Sequence, residues 1–181
     1  MFLVLFGFIW YFVYYFAKQE INMNFYAHEV IELKQQPTPD TCVSTCLAML
    51  LNEDTQTIID QFHASYKAGQ TNPIKFLEQR GIKVNDGKPY QYLDEDGLYF
   101  LMVPSLNIQA TNHQIIYIIE EGGNGWFHTL LDPVKGREGK LYYKSDFEQD
   151  DNELSVKLKG FAVDFFIDIE TAKKILTGQQ L

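Results

Sequence analysis

The spacing of apolar residues changes at residue 82, and that change restricts the fold class. Before it, apolar side chains recur at helical intervals between capping signals. Asp40 or Thr41 opens a mostly apolar run that predicts a helix over residues 41–51, with Cys42 in its first turn. Asp54 or Thr55 caps a second helix, in which Ile58, Ile59, Phe62 and Tyr66 recur until Gly69. Asn72 caps a third, with Pro73 at its first position and Gly81 after its last turn. From residue 82 onward the stretches IKV, LYFLMV, HQIIYIIE, WFHTLLD and KLYYK, and a long run from Leu154 to Ile169, read as strands, and ETAKKIL reads as a closing helix. Helices first and an antiparallel sheet second is the α+β pattern, with N-terminal helices packed on a C-terminal sheet. Residues 24–34, with β-branched Val30 and Ile31, read as an extended lead-in. Pro37 and Pro39 then exclude a helix before residue 40.

The glycines and asparagine of EGGNG, between HQIIYIIE and WFHTLLD, mark a hairpin turn. A turn centred on Gly122 and Gly123 sets His113 opposite Asp132, and a five-residue loop sets it opposite Pro133. Either register predicts that His113 and Asp132 meet at the open end of the hairpin, because opposed side chains share a face. His128 lies about 13 Å from Asp132 along one strand, at about 3.3 Å per residue, too far to be oriented by it. His28 and His63 have no partner legible in the sequence.

The chain has two cysteines, Cys42 and Cys46. Two cannot form a disulfide framework, and without a second Cys/His pair at ligand spacing they supply half of a structural zinc site. Cys42 falls at a helix start, where unpaired N–H groups and the helix dipole favour the thiolate. Cys46, one turn further in and followed by LAMLL, reads as a small buried core residue. A thiol at a helix start with an imidazole beside a carboxylate is the arrangement nucleophilic catalysis requires: base near nucleophile, third group fixing the base. An oxyanion needs donors as well. The backbone N–H of Cys42 is one candidate, and the amide of Gln36, six residues upstream on a stiff P-T-P-D segment, is the second.

With 181 residues and a net charge of -9, the chain is sized for one domain and lacks the basic surplus that nucleic acid or an anionic membrane surface would require. Residues 1–17 carry no charge and hold nine of the 27 aromatic residues. That length is marginally sufficient to span a bilayer as a helix, so residues 1–22 are read as a separate apolar segment and 23–181 as the domain. The segment is either a membrane tether or the product of a start upstream of Met23. A cleaved signal peptide fits less well, because no basic region precedes the apolar run and no small-residue cleavage site follows it.

The string Q36-PTPDT-C42-VST-C46-LAM, followed by VPSLN, NH113-QIIYI and LLD132-PVKG, resembles the papain-like cysteine peptidases, and most closely the bacteriocin-processing (double-glycine leader) peptidases and their stand-alone relatives. The resemblance covers roughly residues 30–140. It implies a papain-like fold, peptide-bond hydrolysis through an acyl-thioester, and a peptide or protein substrate. By position, it implies Cys42 as nucleophile, His113 as general base and acid, Asp132 as orienting group and Gln36 as oxyanion-hole donor. Thr41 and Val43 depart from the Asp and Gly that usually flank the nucleophile. The same triad permits deamidation or transglutamination, and Val43 motivates a third reading, a silent binding module. No cofactor is implied, because thiol chemistry with a histidine base needs none.

Overall fold

The structure, a computed structural model, describes residues 25–86 and 92–179; the apolar segment 1–17 lies outside them. The described chain is a mixed helix and sheet protein with an antiparallel sheet. Its helices are α1 (Ala27–Val30), α2 (Cys42–Leu50), α3 (Thr55–Ile58), α4 (Ala64–Lys67), α5 (Pro73–Glu78) and α6 (Ile169–Leu176), with a π-helical stretch Ile59–His63 joining α3 to α4. The strands are β1 (Asn85–Asp86), β2 (Gly97–Pro104), β3 (Asn112–Gly122), β4 (Gly125–Leu131), β5 (Tyr142–Lys144), β6 (Ser155–Lys157) and β7 (Ala162–Asp168). Five of them form one sheet in the order β1-β7-β2-β3-β4.

Caps set the starts of α3 and α5 as the sequence predicts, whereas α2 has no side-chain cap: Thr41 precedes it, but its Oγ1 donates to the Thr38 carbonyl at 2.9 Å instead. Asp54 accepts from the Thr57 N–H at 2.9 Å, Asn72 from the Lys75 N–H at 2.8 Å, and Gly81 leaves α5 with φ of +77°. All nine residues of α2 are buried. Its apolar side chains point in every direction, and its two hydroxyls find partners: Thr45 Oγ1 donates to the Thr41 carbonyl at 2.9 Å, and Ser44 Oγ lies 3.2 Å from His63 Nδ1. Leu47 and Leu50 are fully buried there, each worth about 1.5–3 kcal/mol of burial.

Both faces of the sheet are covered. One face packs Leu98, Phe100, Ile116, Ile118, Phe165 and Ile167 against α2, Phe62 and Leu77. The other packs Tyr99, Leu101, Ile115, Tyr117 and Phe166 under Tyr143, Val156 and Phe161. That is why the IIYII stretch of β3, residues 115–119, is continuously apolar rather than alternating.

Three expectations are corrected. The lead-in 24–34 contains a short helix, α1, stabilised by Glu29, whose carboxylate accepts from the Tyr26 N–H at 3.0 Å; the β-branched pair follows only at its end. The IKV stretch is not a strand: the Ile82 N–H is consumed in closing α5 on the Leu77 carbonyl at 3.1 Å, so pairing begins at Asn85. The run 154–169 divides, because β6 leaves the main sheet to pair in parallel with β5 before β7 rejoins it after residues 158–161. Among the described residues no helix is long and apolar enough to cross a membrane.

Candidate active site

The hairpin of β3 and β4 turns later along the chain than expected. Gly122 pairs with Gly125, with Gly123 and Asn124 forming the turn, and the ladder ends at Ile116 facing Leu131. Neither expected register holds. Continued, this one would set His113 opposite Val134, with Asp132 two positions away on the diagonal. The two still meet: His113 Nε2 lies 2.7 Å from Asp132 Oδ1. Once the ladder has ended, the chain turns at Pro133, and Asp132 is held in place by other donors. Its Oδ1 also accepts from the Val134 N–H at 2.8 Å, and its Oδ2 from the Tyr143 N–H at 2.7 Å. With three donors on a carboxylate only 1 % exposed, Asp132 is fixed before it fixes anything else.

Gln114 lies beyond the end of the β3–β4 ladder, and its backbone meets α2 instead. Its carbonyl accepts from Cys46 Sγ at 3.4 Å, and its N–H acts on the Cys42 thiol to lower its pKa. The two cysteines, one turn apart, thus grip one residue of the strand that carries His113. With Nε2 committed to Asp132, the other ring nitrogen of His113 is left for Cys42, which lies near enough to raise the pKa of the ring.

The electrostatics follow from those contacts. Burial alone would push the Cys42 thiol up, but the hydrogen bond and charge of His113, with the N–H groups of Gln114 and Val43, bring it below its ordinary 9.0. Burial likewise pulls His113 down, but its hydrogen bonds to Asp132 and Cys42 and their charges raise it from 6.5 to about 9. Both shifts favour a thiolate beside an imidazolium. Cys46 behaves oppositely: fully buried and near the charges of Cys42 and Asp132, its thiol is pushed well up, and it belongs to the core as the sequence predicts.

No protein family, curated protein or solved structure matches this chain.

Gln36 is buried beside this group, its N–H bonded to the Pro133 carbonyl at 2.9 Å. Its Nε2 donates one hydrogen to the Thr38 carbonyl at 3.0 Å, which leaves one amide hydrogen uncommitted. It shares a small cavity of about 80 Å³ with His113 and Val134. A larger cavity, about 440 Å³, opens over Cys42 and His113. Val43 lines its wall, and with only 7 % exposure its side chain belongs mainly to the core.

The loop before Cys42 is clamped by residues the sequence did not single out for this purpose. Asp40 accepts from Thr38 Oγ1 at 2.8 Å and lies 3.4 Å from His63 Nε2, while the other nitrogen of His63 meets Ser44. The π-helical turn around His63 aims the ring at both. His128 stacks on Phe147 with ring centroids 4.1 Å apart and is remote from Asp132, as its spacing predicts. His28 lies 3.6 Å from buried Glu120. Among the described residues no three His, Cys, Asp or Glu side chains converge so as to hold a metal ion.

Proposed function

We propose that this chain is a cysteine peptidase of the papain-like fold, hydrolysing a peptide bond through an acyl-thioester on Cys42. The observation that carries this reading is the continuous chain from Cys42 through His113 to Asp132, with the thiol lowered and the imidazole raised by their mutual contact. The buried helix that begins at the cysteine and packs on the sheet bearing the histidine is the arrangement the sequence resemblance implies.

In the first step the Cys42 thiolate adds to the carbonyl carbon of the substrate. Charge develops on the carbonyl oxygen, where the Cys42 backbone N–H and the uncommitted amide hydrogen of Gln36 are the candidate donors. The imidazolium of His113 then gives its proton to the amine as the C–N bond breaks, leaving the acyl group on sulfur and His113 neutral. Neutral His113 accepts a proton from water, whose oxygen attacks the thioester. The acid leaves, and the ion pair is restored. Asp132 keeps the ring in the orientation both transfers require.

Activity-based labelling with intact-mass readout tests this reading. A thiol-directed peptide electrophile should add once to the wild-type chain and not to Cys42→Ala, which should also lose hydrolysis. Full activity in that variant overturns the proposal. Cys46→Ala should retain labelling and cost roughly 1 kcal/mol of packing. The products decide the reaction: a cleaved backbone supports the peptidase, whereas a gain of about 1 Da on a glutamine, the mass of an amide converted to an acid, assigns the same thiolate chemistry to deamidation.

A further inference from the structure

The cavity over Cys42 contains a charge that its own walls do not balance. At about 440 Å³ it falls in the size range of small-ligand and side-chain pockets. The ionisable groups that line it include Asp40, Lys67, Cys42, His113 and Asp164. Asp40 is paired, with Lys67 Nζ at 3.6 Å and His63 Nε2 at 3.4 Å. Cys42 and His113 offset each other. Asp164 is left: among the described residues nothing donates a hydrogen bond to it and no cation pairs with it. Burial alone acts on its carboxyl, raising it from the ordinary 3.8.

The position of Asp164 has a specific origin. In the pairing of β2 with β7, Phe100 faces Phe165 and Leu101 faces Val163, so Asp164 is an extra residue in a β-bulge. Phe165 packs on the helical face of the sheet and Val163 on the opposite face, a change of phase that two residues' spacing in a regular strand does not allow. The bulge turns Asp164 toward the helices, into the Cys42 cavity, where it acts on Tyr66 through its charge. Bulges beside active sites commonly re-aim one side chain in this way.

A second group in the same cavity lacks a partner. Gln114 is only 4 % exposed, and its buried Nε2 makes no hydrogen bond. A buried amide without an acceptor is costly unless something that enters the cavity supplies one.

Building on the peptidase reading above, we propose that this cavity is the substrate side-chain pocket and takes a lysine or arginine, with Asp164 receiving the cation and Gln114 Nε2 donating to a carbonyl oxygen of the same substrate.

The test uses N-acetylated peptidyl chloromethyl-ketone electrophiles, which alkylate the thiolate with loss of chloride and carry arginine, or its neutral isostere citrulline, at each of the two positions preceding the reactive group. At one of them arginine should inactivate the wild-type chain about tenfold faster than citrulline, and Asp164→Asn should bring that ratio close to one. Equal wild-type rates at both positions, or a ratio that survives in Asp164→Asn, overturn the proposal. A leucine peptide that gains as much from an unblocked amino terminus assigns the carboxylate to a chain end and also overturns it. Iodoacetamide, which needs no pocket, separates the two levels. Fast alkylation of Cys42 without an arginine preference removes the pocket and leaves the peptidase reading standing; a slow, ordinary thiol with no peptide inactivation removes both.

Discussion

His113 Nε2 lies 2.7 Å from Asp132 Oδ1, although the strand ladder that carries both never pairs them. The contact forms beyond the last ladder pair, Ile116 with Leu131, across a diagonal that the Pro133 turn closes. It persists because Asp132 is anchored independently, by the N–H groups of Val134 and Tyr143. The carboxylate therefore acts as a fixed post to which the imidazole is tied, and the strand register matters less than those two amides.

Asp132→Asn tests that arrangement. Asparagine keeps the shape but puts an NH₂ group in place of one oxygen, either the one that His113 and the Val134 N–H share or the one that the Tyr143 N–H reaches. Either the ring of His113 takes the wrong tautomer or a backbone N–H loses its acceptor. Hydrolysis should fall about 10²–10⁴-fold, and the melting temperature should drop by the equivalent of about 1–3 kcal/mol for an unsatisfied buried group. Unchanged kcat in a folded variant would remove Asp132 from the machinery.

The pH dependence has a definite sign. His113 is raised from 6.5 to about 9, so its contribution to stability is complete below 6.5 and is lost as pH rises through 9. Cys42 is lowered from 9.0, so its contribution is present above 9.0 and is lost as pH falls through its folded value. The two titrate as a pair, with a zwitterionic plateau between the limbs. Cys42 should accordingly be alkylated rapidly at neutral pH, where a thiol at 9.0 is largely protonated, and hydrolysis should decline near pH 9 as His113 loses its proton. In Asp132→Asn the alkaline limb should move to lower pH. A rate that follows one ionisation at 9.0 rules out the ion pair.

Local signals were legible wherever the deciding interaction is local. Asp54, Asn72 and Gly81 set helix ends through partners within a few residues, and the sequence places them correctly. The nearness of His113 to Asp132 was legible as well, because both registers considered for the hairpin led to it; the register itself was not, since the choice between Gly122–Gly123 and Gly123–Asn124 for the turn leaves little trace in a glycine-rich loop. Non-local choices were hidden. Nothing in LKGFAVDFF reveals that Asp164 is a bulge, because the extra residue exists only against β2. The division of β6 from β7 depends likewise on β5. His63 had no visible partner because a π-helical turn, which no periodicity signals, brings it to Asp40 and Ser44.

Glu120 should matter to the fold and not to the chemistry. It is 1 % exposed, its carboxylate accepts from the Ala27 N–H at 2.8 Å, and Lys173 Nζ lies 2.8 Å away, so it joins α1 and α6 to the turn end of β3. Glu120→Gln leaves the half-buried Lys173 ammonium with a weaker partner and should cost about 1–3 kcal/mol by chemical denaturation. The alkylation rate of Cys42 at a temperature where the variant is folded should not change. A large loss of reactivity would mean that this end of the sheet is coupled to the site.

His63 bridges the loop before the nucleophile and the helix that carries it, and its replacement distinguishes holding from catalysis. In His63→Ala the Ser44 hydroxyl is buried with no partner, and Asp40 loses its link to α2 while keeping Thr38 and Lys67. The buried hydroxyl alone predicts about 1–3 kcal/mol of lost stability. The loop should also loosen, which lowers kcat through misplacement of Cys42 while leaving the pH profile of alkylation in place, because His113 still sets it. His63→Asn, able to bond one side only, should recover part of the stability. A shift of the pH profile in His63→Ala would instead make His63 a titrating member of the site.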